Sequence, residues 1–95
     1  MTTEPFQLRA TTKFERSAKK FLRKRPDLRR RFESIIEDLR ADPFQPHLGL
    51  HRLQGELQHL HGVRVTYSYR ITLTLLIEEH AITLIDVGTH DEVYR

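Results

Sequence analysis

The 95-residue chain has no cysteine and no tryptophan, one methionine, and only four glycines and four prolines. Without cysteine there are no disulfide staples and no thiolate metal sites, so packing alone must hold any core. No apolar run approaches the roughly 20 residues needed to cross a bilayer. The opening stretch, MTTEPFQLRA, lacks a basic segment followed by an apolar one and does not read as a secretory signal. The default expectation is therefore a cytoplasmic protein without membrane contact.

What is present is a hydrophobic fraction of 38% against 31% charged residues, enough apolar material for one folded domain over residues 1–95. The net charge is +3, and its distribution is uneven. Ten of the sixteen Lys and Arg lie between Lys13 and Arg31, against only Glu15 and Asp27. Such a run attracts nucleic acid or an acidic protein, or simply solvates two helix faces.

Hydrophobic periodicity divides the chain. Phe6, Leu8 and Ala10 alternate with Gln7 and Arg9, as in a half-buried strand. Thr12 and Glu15 have capping-box spacing, and Phe14, Ala18, Phe21 and Leu22 then form one helical stripe up to Pro26. A second stripe, Leu28, Phe32, Ile35, Ile36 and Leu39, ends at Pro43. The short break between them predicts an antiparallel helical hairpin. After a Pro- and Gly-containing loop at 42–50 the period falls to two. Val63 and Val65 share one face, as do Tyr69, Ile71, Leu73, Leu75 and Ile77. A turn at Glu78–His80 leads into AITLIDVG, apolar at nearly every position and so expected to be central. The predicted class is α+β: a strand, two helices, then an antiparallel meander, with the helices on one sheet face. Arg64 and Arg70 must then point to the open face, on adjacent strands. Two guanidinium groups there suit a phosphate, or are ordinary solvent-facing residues.

Three stretches carry a resemblance: HRLQGEL at 51–57, VRV with YRI at 63–65 and 69–71, and VGTHDEVY at 87–94. Together with the strand–helix–helix opening, they resemble the RelE-like toxins of type II toxin–antitoxin systems, including the YafQ-type branch. That resemblance implies a RelE-like fold and a metal-independent endoribonuclease that cuts mRNA, usually on the ribosome. It also implies a cognate antitoxin as protein partner. On it, His90 falls at a catalytic histidine or arginine, Tyr94 at an aromatic of the site, and Arg70 at the phosphate-contacting arginine. Arg64 falls at a basic residue of the preceding strand, and His51 at a histidine just before LQG. Two positions depart from the YafQ-type pattern: Asp86 replaces an arginine, and Ser68–Tyr69 replace an aspartate–tryptophan pair.

Metal-free RNA cleavage needs a base for the 2′-hydroxyl, cations for the phosphate oxygens and an acid for the departing 5′-oxygen. Histidine exchanges protons near neutral pH, whereas arginine stays charged and serves only the phosphate. His90 is expected to be the acid, Arg70 and Arg64 the clamp, and Tyr94 a stacking or orienting ring. His51, His61 or Asp86 is the candidate base, with His51 and His61 also candidate substrate contacts. The products would be a 2′,3′-cyclic phosphate and a 5′-hydroxyl. His59 and His61 have strand spacing for a metal but no readable third ligand, so neither metal nor cofactor is expected. The alternatives are a ParE-like gyrase poison and a non-catalytic RNA- or protein-binding module on the same fold.

Overall fold

A computed structural model describes residues 4–94. β1 spans Gln7–Ala10, α1 Thr12–Lys24, α2 Arg29–Ala41, β2 His51–Arg52, β3 His61–Arg64, β4 Tyr69–Leu76, β5 Ala81–Thr89 and α3 His90–Val93. Short 3-10 turns occupy Pro26–Leu28, Pro46–Leu48 and Gly55–Leu57.

The five strands form one sheet in the order β1-β5-β4-β3-β2. β2 to β5 pair antiparallel, while β1 pairs parallel to β5. β5 is thus flanked on both sides over its first half, which explains its nearly continuous apolar sequence. The predicted α+β class holds, and both helices contribute to a core on one sheet face. Phe14 and Phe21 of α1 and Phe32, Ile35 and Leu39 of α2 pack with Val63, Ile71, Leu73, Ile82, Leu84 and Val87. Fully burying a Leu, Ile or Phe is worth about 1.5–3 kcal/mol, so this cluster supplies most of the driving force. Arg31 Nε on α2 also donates to the Val65 carbonyl at 2.6 Å, tying the hairpin to the β3–β4 turn.

Three local readings are corrected by the structure. The cap of α1 is Thr11, not Thr12: its Oγ1 accepts from Phe14 N at 3.0 Å, and Thr12 is already helical. Ile77 lies beyond the end of β4 and is exposed rather than in the apolar stripe. The strand pattern of β5 is interrupted once: Leu73 pairs with Leu84 and Thr72 with Asp86, leaving Ile85 without an opposite number. This extra residue is a β-bulge. It lets Leu84 and Val87, three apart, both face the core.

Candidate functional site

The face of the sheet away from the helices is built by strand alternation. Arg64 and Arg70 sit directly opposite each other in the β3–β4 register, and Gly62 sits opposite Thr72 two residues along. Their neighbours Val63 and Ile71 are fully buried on the helix side, so the two arginines belong to the open face, as their parity predicts. His51 pairs with Gly62 and joins that face from β2.

α3 folds back over this surface and brings His90 and Tyr94 to it. The two rings meet edge to face, with centroids 4.3 Å apart and planes at 89°. Gly62 makes the arrangement possible. A Cβ at that position would lie 3.0 Å from the Tyr94 hydroxyl oxygen and 3.3 Å from His51 Cε1. A side chain there would push both groups back from the strand by a few tenths of an ångström. The result is a hollow of about 320 Å³ lined by His51, Arg52, Leu53, Gln54, Leu57, His90 and Tyr94.

Two histidines therefore share one hollow, and their surroundings differ. His51 Nδ1 lies 2.9 Å from the Gly49 carbonyl oxygen. A carbonyl only accepts, so Nδ1 carries the hydrogen, and Nε2 of the neutral ring is left with a free lone pair. His90 is exposed, and its Nδ1 lies 3.6 Å from Asp91 Oδ1, an electrostatic contact longer than a hydrogen bond. The Tyr94 hydroxyl is buried without a hydrogen-bond partner among the described residues.

The remaining expected residues are placed differently. Arg70 directs Nη1 to the carbonyls of Thr66 at 2.9 Å and Tyr67 at 3.0 Å, so it also staples the β3–β4 turn. Its other nitrogens have no such bonds among the described residues. Arg64 and Arg70 share the open face but do not line the hollow. His61 lies on the opposite face, beside Leu73 in the register, with Nδ1 buried and unpartnered. Burial, then the positive charge of the nearby Arg52, holds its pKa below the ordinary histidine value. Asp86 is buried, its Oδ1 accepting from Val87 N at 2.9 Å and its Oδ2 lying 3.5 Å from Lys13 Nζ. It lines a second, larger hollow of about 490 Å³ between α1, β5 and α3, away from the histidines.

Arg52 and Gln54 border the histidine hollow and were not anticipated. Their place in HRLQG, beside His51, was the available signal. No group of three or more potential metal ligands occurs among the described residues. No described helix is long and apolar enough to cross a membrane.

The fold is the one seen in solved structures of RelE- and YafQ-like toxins. Among solved structures, the chain is similar to the YoeB/ParE toxin from Agrobacterium tumefaciens, with a TM-score of 0.74 at 15% identity over 88% of this chain and 98% of that one. It is similar to YafQ from E. coli, with a TM-score of 0.69 at 13% identity over 95% and 99% of the two chains. The RelBE2 toxin–antitoxin complex from Mycobacterium tuberculosis matches with a TM-score of 0.64 at 23% identity over 90% and 99%. No family model and no curated protein sequence matches the chain.

Proposed function

We propose that the protein is the toxin of a toxin–antitoxin pair and acts as a metal-independent endoribonuclease on mRNA held by the ribosome. The observation that carries this reading is the shared hollow of His51, His90 and Tyr94, beside the Arg64–Arg70 pair on the open sheet face. One imidazole to give a proton and another to take one, next to permanent cations, are what in-line attack of a 2′-hydroxyl on its own phosphate requires.

In this reading His51 is the base. Its Nδ1 hydrogen is committed to the Gly49 carbonyl, which leaves Nε2 to take the 2′-hydroxyl proton. The 2′-oxygen attacks phosphorus and the bond to the 5′-oxygen breaks. His90, protonated, gives its proton to the departing oxygen. The products are a 2′,3′-cyclic phosphate and a 5′-hydroxyl. Arg70 and Arg64 offset the charge that grows on the phosphate oxygens, and Tyr94 sets the His90 ring by its edge contact. His61, on the far face, and Asp86, held by Lys13, take no part. The partner is an acidic antitoxin that covers the open face, drawn to the basic chain.

The test is primer extension on a message translated in an extract, with wild type and single variants. His90→Ala and His51→Ala are each expected to lower cleavage by about 10²–10⁴-fold, the range for losing a general acid or base. Arg70→Lys should keep part of the activity and Arg70→Ala little of it. Undiminished cutting by His90→Ala would remove the mechanism. DNA damage on induction without loss of messages would point instead to a gyrase-directed toxin.

A further inference from the structure

α3 is a single turn, His90–Val93. One turn fixes several residues for very little hydrogen bonding and does not persist without outside support. The support here is specific. Thr89 Oγ1 accepts from Glu92 N at 3.3 Å, and Glu92 Oε1 accepts from Thr89 N at 2.8 Å, a complete capping box. Gly88 leaves room for it: a Cβ there would lie 2.9 Å from Glu92 Oε1 and 3.1 Å from Glu92 Cβ. From α1, Lys20 Nζ stands 3.9 Å from the other carboxylate oxygen. Val93 is buried and adds an apolar anchor. Glu92 itself lines the 490 Å³ hollow, not the one that holds the histidines.

We propose that Glu92 is a positioning residue for His90, its clasp on Thr89 holding α3 where His90 and Tyr94 meet His51. Gly88 is the second part of the device, because any side chain there displaces the carboxylate. The consequence for cleavage rests on the nuclease reading, whereas the clasp stands on geometry alone.

Two measurements on the full chain separate the clasp from the nuclease reading. The first is NMR of the His90 ring, whose carbon-bound protons feel the ring current of Tyr94. Wild type and Glu92→Gln, which can make the same backward bond, should show displaced His90 signals. Glu92→Ala and Gly88→Ala should lose the displacement while core methyl signals stay in place. The second is cleavage in the translating extract. Both disruptive variants should lose about tenfold in kcat with KM little changed, comparable to the loss of a helix cap. The double variant should be no worse than either single one, and Glu92→Gln should stay near wild type. Glu92→Ala that keeps both the displaced signals and the rate overturns the proposal. So does a double variant whose loss is the product of the two single losses. If wild type itself does not cut RNA, the nuclease reading fails and the spectra alone decide the clasp.

Discussion

Tyr94 buries a hydroxyl that finds no partner among the described residues, and an unpaired buried polar group costs about 1–3 kcal/mol. Phenylalanine keeps the ring that meets His90 and deletes the unpaired atom. Tyr94→Phe is thus expected to raise stability in urea titration, by up to about 1 kcal/mol, with cleavage near wild type. Tyr94→Ala should lose most cleavage. Loss of cleavage in the phenylalanine variant would instead give the phenol a chemical part. His61 poses a different problem, because its ring is driven towards the neutral form by burial and by Arg52. The unfolded chain takes up that proton near pH ~6.5, the folded chain only lower. Between the two the unfolded state binds more protons, so stability is lost as pH falls below about 6.5. His61→Val removes this linkage. The gap between its melting temperatures at pH 8 and pH 5 should be smaller than in wild type, and an unchanged gap would exonerate His61. Strand parity puts His61 on the same face as Val63 and Val65, the core side. Its separation from His51 was therefore legible in the strand pattern. Arg70's bonds to the turn carbonyls were not legible, since they depend on how residues 65–68 curve back.

At the scale of elements, the junction of β1 and α1 rests on one side chain. Thr11 Oγ1 accepts from Phe14 N and stands 3.2 Å from the Leu84 carbonyl and 3.3 Å from that of Ile85, both on β5. It caps the helix and fastens it beside the bulge. Thr11→Ala is expected to destabilise by about 1–2 kcal/mol, the upper part of the range for an N-cap, because two further contacts go with it. Thr11→Ser should restore most of that in the same urea titration. A loss confined to a few tenths would mean the contacts to β5 contribute nothing. The helices and the long strands were readable because their stripes run through elements of 13 residues in the helices and of 8 and 9 in β4 and β5. The choice between Thr11 and Thr12 was not, since both are competent caps and the neighbouring strand decides. Nor was the bulge at Ile85: a run apolar on both faces carries no parity to break. The T-x-x-E pattern of Thr89 and Glu92 was readable as a capping box, but α3 is a single turn too short for a helical stripe to accompany it.

For the whole molecule, the sheet divides two surfaces of different character. The open face presents a few residues in fixed geometry. The solvent side of the helical hairpin presents Arg16, Lys19, Arg23 and Arg30, all exposed and without a carboxylate partner in the described ion pairs. Such a surface holds a polyanion through released counterions rather than shaped contacts, so its affinity is steeply salt-dependent. Binding of a single-stranded RNA lacking a 2′-hydroxyl at the cut position is expected to weaken linearly in log affinity against log salt. The slope should be roughly −0.7 per phosphate neutralised. Changing Arg16, Lys19, Arg23 and Arg30 together to Gln should flatten that slope by about two to three, if each contacts a phosphate. Arg70→Ala, by contrast, should shift the slope by less than one. The helical variant should also keep its fold, because all four side chains lie outside the core. Equal slopes for wild type and the fourfold variant would show that RNA meets only the open face, and that the basic run merely keeps two helices solvated.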